Sequence, residues 1–259
     1  MRAGILLAMQ GALPAALFKP GHPILAKLMR VKDEAELELL ARAARIADEA
    51  LDAGLAAIRP GATELDVQRA LNREMERLGG VPTFCLVGAG ANGAEPHHET
   101  DATPIRDGDV VVLDYGCEVD GYQSDITRTV ALGDPGEEAH RVYHVVYQAH
   151  LAGRRAIQPG VSGRDVDRDA RKVIVEAGYG EWFVHRTGHG IGMRGHEEPY
   201  VAETNTEPLD VGNCVSVEPG VYLPGRFGVR IENIVTVEEG GERSLNDEPL
   251  AELLCLKPA

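Results

Sequence analysis

Apolar positions change their period along this chain, and each change marks an element. Leu40, Ala43, Ala47, Leu51, Gly54 and Ile58 recur at the three-to-four spacing that lays one side of a helix against a core. Asp33 with Glu36 makes a capping-box start for that helix, and Pro60-Gly61 makes a stop. A second amphipathic helix follows near 63 to 78. The period then shortens to that of strands. Val110 to Tyr115 reads as a buried strand and Tyr122 to Val130 as another, with the turn dipeptide Asp120-Gly121 between them. A two-residue loop at that point makes opposed residues sum to 241. Asp114 then faces Thr127, and Asp125 lies two residues away on the same face, within roughly 8 Å. Val215 to Gly220 and Val229 to Val235 are two more strand-like runs, joined by a Gly/Pro-rich loop.

The helical pattern occurs twice. Ala57 to Arg69 aligns with Ala156 to Arg168 at an offset of 99, with Ala, Ile, Pro, Gly, Asp, Val and Arg recurring in register. Each copy ends one helix and starts another, near 63 to 78 and 162 to 177, ahead of a block of strands. Pro-Gly stop signals alone would produce part of the match. Two helix-helix-strand units predict an α+β fold whose halves are related by a pseudo-twofold, with helices on one face of a mostly antiparallel sheet and a cleft between halves.

The candidate chemistry lies in the strand blocks. Asp114, Asp125, His189, Glu218 and Glu232 each sit in a short β-branched or Gly-rich run. Four converging carboxylates repel one another unless cations neutralise them, and two divalent ions balance the charge. Oxygen-rich ligation with one imidazole points first to Mn2+, with Co2+, Fe2+ or Zn2+ as alternatives. The plainer readings are a surface hairpin with solvated acids and a histidine that merely hydrogen-bonds. The apolar flanks of Asp114 and the clustering of His185, His189 and His196 around Thr187 to Gly192 argue against both.

The contexts LDYG, SDITRT, TGHGIG, VEPG and VRIEN around those five residues resemble the M24 metallopeptidases of pita-bread fold, from about residue 30 onward. The wording GHGIGMRGHEEPYV at 188 to 201 and EPLDVGNCVSVEPGVYLPGRFGVRIEN at 207 to 233 is similar to the proline dipeptidase and Xaa-Pro aminopeptidase branch. The resemblance implies a dinuclear metal-dependent exopeptidase that hydrolyses Xaa-Pro bonds in dipeptides or short peptides. Methionine aminopeptidase is the alternative within the same chemistry, and a catalytically weak module that binds peptide or a partner protein is the alternative outside it. The resemblance gives Asp114 to one metal, makes Asp125 and Glu232 bridges, and completes the other metal with His189 and Glu218. Glu218 also matches the acid that moves the proton. His97 matches the histidine supporting the intermediate and the leaving nitrogen, with His98 as its rival, and His196 the one contacting the substrate carbonyl. His185 matches a pocket wall. Arg230 matches a cation behind the ligands or on the substrate carboxylate, with a strand-borne ion pair as the other reading. Residues 1–30 are expected to be an extension or the remnant of a missing amino-terminal domain, and 31–259 the catalytic domain. Without that domain the dimer contact usual in the family is in doubt, and a homodimer is left open.

Composition narrows the partners. Lys and Arg number 26 against 41 Asp and Glu, a formal net charge of −15, which disfavours nucleic acid and anionic membranes. No apolar run is long enough to span a bilayer. Cys85, Cys117, Cys214 and Cys255 lack C-x-x-C spacing and suit buried thiols in a reducing cytoplasm. The apolar start from Met1 to Phe18 loosely resembles a secretion signal, against which stand Gln10, Pro14 and the lack of a clear cleavage site.

Overall fold

The computed structural model describes residues 2–258. Met1, in the segment 1–30 expected to be an extension, and Ala259, in the expected catalytic domain 31–259, lie outside them. Two short helices, α1 (Ala3–Ala12) and α2 (His22–Met29), come first, and of their residues only Ala26 is buried. The first half then opens on α3 (Glu34–Ala57), whose N-terminus carries the expected capping box between Asp33 and Glu36. Leu40, Ala43, Ala47 and Gly54 of the predicted stripe are buried. α4 (Glu64–Arg77) is capped by Thr63. The second half repeats the pair as α5 (Glu137–Ala156) and α6 (Gly163–Glu176), the latter capped by Ser162.

The internal repeat is structural. Gly61 N–H donates to Ile105 O at 3.0 Å and Ile105 N–H to Ala62 O at 2.7 Å; Gly160 and Leu209, Leu209 and Val161 make the matching bonds, both at 2.8 Å. Each helix-helix link is thus tied to the strand block of its own half in the same way.

One sheet contains β1 (Val81–Ala89), β2 (Val110–Val119), β3 (Tyr122–Gln123) and β4 (Ile126–Leu132). The second contains β5 (Gly188–Gly190), β6 (Glu197–Val201), β7 (Cys214–Val217), β10 (Asn233–Glu238) and β11 (Gly241–Ser244), while β8 (Gly220–Leu223) and β9 (Phe227–Arg230) form a hairpin. β12 (Leu254–Leu256) joins the first sheet parallel to β4; the other strand pairs are antiparallel. Alternation on β2 sorts its faces. Val111, Leu113, Tyr115 and Cys117 pack into the helix-side core with Ala43, Ala47, Val67 and Leu71, which leaves Asp114 on the opposite face.

The β2–β4 register is the one that the two-residue turn requires: Asp114 pairs with Thr127, and both Asp120 and Gly121 have positive φ. The predicted second strand is nevertheless broken at Ser124-Asp125. The Ser124 hydroxyl accepts from Cys117 N–H at 2.9 Å, the bond a regular ladder gives to the Ser124 carbonyl, so the backbone departs from the sheet there. The runs 215–220 and 229–235 are also interrupted, at Glu218-Pro219 and at Ile231-Glu232, where the chain passes between the second sheet and the β8–β9 hairpin.

Candidate metal centre

Those interruptions gather the acids. Glu218 N–H donates to Thr187 O at 2.8 Å and Glu232 N–H to Thr127 O at 3.1 Å, so each carboxylate is held at a hand-over between strands. His189 lies in β5, close against β7: a Cβ at Gly188 would meet Ser216 O at 1.9 Å, so only glycine fits beside it. The His189 ring donates from Nδ1 to Gly190 O at 3.0 Å, which turns Nε2 toward Asp125 Oδ2 at 3.6 Å and Glu218 Oε1 at 3.2 Å.

Asp125, His189 and Glu232 offer ligand atoms within 4.8 Å of one another, and all three are buried. Asp114 joins through Thr127, whose hydroxyl lies 3.1 Å from Asp114 Oδ1 and 2.7 Å from Glu232 Oε2. Asp125 Oδ1 and Glu232 Oε1 are buried with no hydrogen-bond partner, a costly arrangement for charged oxygens that a bound cation would relieve. The protonation balance agrees. Burial and the neighbouring acids push Asp125 and Glu232 well above the usual carboxylate range. Burial also raises Asp114, against the pull of Arg230. For Glu218 burial works upward, but the His189 hydrogen bond and the charges of His189, His185 and Arg230 hold it down to about 2. Hard oxygen donors with one correctly turned imidazole fit divalent metal.

A cavity of about 630 Å³ opens over this cluster, lined by Asp114, Asp125, His189, Glu218 and Glu232 together with His97, His185, His196, Arg186 and Arg230. All the residues singled out in the sequence therefore meet here except the rival His98, which turns to the buried Glu64 carboxylate at 2.8 Å. The His196 ring centre lies 4.0 Å from that of His189, the rings tilted by 41°, and burial, His189 and Arg186 lower its pKa to about 4. His185 is lowered to about 4, chiefly by burial. It donates from Nδ1 to Arg186 O and accepts at Nε2 from Tyr222 Oη at 2.8 Å, so it meets the cavity as a ring with both nitrogens engaged. Arg230 is tied down by four hydrogen bonds. Its Nε donates to Thr127 Oγ1, one terminal nitrogen to Pro96 O and Tyr222 Oη, and the other to Asp114 at 2.5 Å. That is the ion-pair role, with four of the five guanidinium N–H groups taken inside the protein.

Four supporting residues escape a sequence reading. Glu64, at the first turn of α4, accepts from Ala89 N, Asn92 Nδ2, His98 Nε2 and Asp101 N, and so clamps the loop that carries His97. Thr127 was visible only as the residue opposite Asp114. Tyr222 links Arg230 to His185. Arg186 carried no signal beyond standing between two histidines of interest.

A pseudo-twofold α+β frame holding a carboxylate-rich, one-imidazole cradle under a small cavity defines a pita-bread protein of metallopeptidase type. The profile of metallopeptidase family M24 matches residues 38–239, and the chain belongs to that family. The probable dipeptidase PepE of Mycobacterium tuberculosis (strain ATCC 25618 / H37Rv) is 42% identical over 228 residues, covering 87% of this chain; the chain spans only 61% of that protein's length. The crystal structure of dipeptidase PepE from Mycobacterium ulcerans superposes with a TM-score of 0.95 at 40% identity, over 99% of this chain and 69% of that one. The Xaa-Pro dipeptidase from Bacillus anthracis gives 0.95 at 38% identity, over 99% and 72%. These matches bear out the pita-bread fold.

Proposed function

We propose that the chain is the catalytic unit, from about residue 31, of a dinuclear metal-dependent exopeptidase that hydrolyses Xaa-Pro bonds in dipeptides or short peptides, with Mn2+ as the working ion. The observation that carries this reading is the pair of buried, partnerless oxygens on Asp125 and Glu232 beside the turned Nε2 of His189. Asp114, Asp125, His189, Glu218 and Glu232 would hold the ions, which when bound make water acidic and polarise a carbonyl. Glu218 is the proton carrier: held ionised by His189 and its neighbours, it accepts a proton from the attacking water and delivers it to the leaving nitrogen. His97 and His196 approach from the cavity wall. His196, kept neutral at working pH, donates to the substrate carbonyl oxygen or the oxyanion it becomes, and His97 steadies the leaving nitrogen. His185 closes the wall through its ring, and Arg230 keeps Asp114 and Thr127 in place.

The dipeptidase and Xaa-Pro dipeptidase names of the relatives support the substrate class, and a cavity of about 630 Å³ suits a ligand of that size. No helix among the described residues is long and apolar enough to cross a membrane, and the cysteines are free, three of them buried, which supports a cytoplasmic setting. Peptide release with added Mn2+ is the test: cleavage of Xaa-Pro dipeptides but not of Met-Ala-Xaa peptides is expected. Cleavage of the latter alone would make the chain a methionine aminopeptidase, and no turnover of any peptide at saturating metal would leave a binding module.

A further inference from the structure

A dipeptide differs from every longer peptide in carrying a free carboxylate one residue past the scissile bond. A site that selects dipeptides therefore needs a cation at that distance. Two guanidinium groups line the cavity. Arg230 is already engaged: its charge is paired with Asp114, and four of its five N–H groups donate to Thr127, Pro96, Tyr222 and Asp114. Arg186 is the opposite case. Its Nε is buried with no hydrogen-bond partner, and no carboxylate pairs with it among the described residues. The guanidinium is nonetheless held, with its central carbon 4.9 Å from the centre of the Tyr200 ring, a cation–π seat that fixes a plane and leaves the N–H edge available. Its backbone is anchored too, because His185 Nδ1 donates to Arg186 O at 2.7 Å.

Building on the proposed peptidase reading, we infer that Arg186 binds the C-terminal carboxylate of a dipeptide substrate and thereby selects dipeptides over longer or amidated peptides. A guanidinium edge offers a carboxylate two parallel hydrogen bonds, and the buried Nε gains a partner in the process. Arg186 also lines a neighbouring cavity of about 540 Å³ with Glu198, Tyr200 and Glu207. A chain continuing past the second residue would have to push the guanidinium off Tyr200 and enter a space bordered by acids. The carboxylate end of a dipeptide stops short of it.

The test uses the Mn2+-loaded protein and its Arg186→Met and Arg186→Lys variants. Binding of L-proline, the carboxylate-bearing half of the substrate, is compared with binding of L-prolinamide by calorimetry, beside turnover of Ala-Pro and its C-terminal amide. The parent is expected to prefer L-proline and the acid. Arg186→Met should weaken L-proline by about 10- to 100-fold, the size of a lost charge-assisted pair, while prolinamide shifts by less than about twofold. Arg186→Lys should recover part of the loss. An equal loss for both ligands would mark a purely structural arginine, and a parent that binds L-proline no better than prolinamide would overturn the assignment. A parent that prefers L-proline through Arg186 yet cleaves no Xaa-Pro peptide would sink the function and leave the carboxylate site standing. Cleavage without discrimination between acid and amide would do the reverse.

Discussion

At the residue scale the metal cradle is a set of groups that are uncomfortable together. Asp125 and Glu232 are raised well above ordinary carboxylates, first by burial and then by the acids around them. A carboxyl that holds its proton more tightly in the folded protein than in the unfolded chain stabilises the fold at low pH and withdraws that support as pH rises through the ordinary carboxylate range and above it. The metal-free protein is therefore expected to lose up to about 1.4 kcal/mol per pH unit for each such group over the interval in which the folded form alone keeps the proton. His150, lowered to about 3 by burial, and His185 and His196, lowered to about 4, act in the opposite sense as pH falls below their ordinary value. The informative quantity is thus the difference between parent and Glu232→Gln in urea titrations of metal-free protein across pH. The variant should have the flatter descent above pH 5, and parallel curves would show that Glu232 does not share the repulsion. The four acids of the candidate cradle were legible in the sequence because acids are rare inside β-branched runs, and His189 because glycines crowd around it. Arg186 was not legible: what distinguishes it is the lack of a partner for its Nε, a property of the folded surroundings alone.

At the scale of elements the two halves reuse one helix crossing. Gly54 in α3 and Gly153 in α5 stand 99 residues apart, the offset of the repeat, and so do their partners across the crossing, Leu71 in α4 and Ala170 in α6. A Cβ on Gly54 would meet Leu71 Cδ2 at 2.6 Å, whereas one on Gly153 would meet Val217 Cγ1 at 3.0 Å and Ala170 Cβ at 3.3 Å. Overpacking of a buried crossing costs about 1 to 3 kcal/mol, against a helix gain of about 1 kcal/mol for replacing glycine. Gly54→Ala should therefore be destabilising in chemical denaturation, with Gly153→Ala the milder change; a stabilised Gly54→Ala would mean that the helices have room to spare. Glu64 makes a second prediction of this scale. Its buried carboxylate takes four donors, two on each oxygen, so Glu64→Gln must point an amide N–H at a donor pair. A loss of about 1 to 3 kcal/mol is expected, with faster amide exchange over 89–101, the loop bearing His97. The sequence revealed the helices and the hairpin register because short-range rules set them: capping boxes, a 3.6-residue period and a two-residue turn. The strand break at Asp125 turns on the Ser124 hydroxyl taking the Cys117 N–H, a choice the alternation of apolar residues does not record. The breaks at Glu218 and Glu232 were hidden because their causes lie far along the chain, in Thr187 and Thr127 accepting from the Glu218 and Glu232 backbones. The parallel docking of β12 on β4, Leu254 opposite Val130, is equally remote.

For the whole molecule the consequence is that the cradle straddles the pseudo-twofold. Asp114 and Asp125 belong to the first half, and His189, Glu218 and Glu232 to the second. Among the bonds that join the halves are the Arg230–Asp114 ion pair and those of Thr127, which accepts from Glu232 N–H through its backbone and lies between Asp114 and Glu232 through its hydroxyl. A ligand that binds only the folded state adds about 2.7 kcal/mol at one hundred times its dissociation constant, and here that energy can be released only when both halves are in place. Metal should therefore act as a clasp and not as a local staple. Removing it with a chelator is expected to lower the midpoint of thermal unfolding and to raise hydrogen exchange in β4 and β10 together, and Mn2+ should restore both along with activity. Asp125→Ala should abolish the metal-dependent rise in both strands even though the substitution touches only the first half. Protection gained in β10 alone, or a midpoint indifferent to metal, would mean that the acids of the first half take no share in the ion, and the two-metal reading would fall with them.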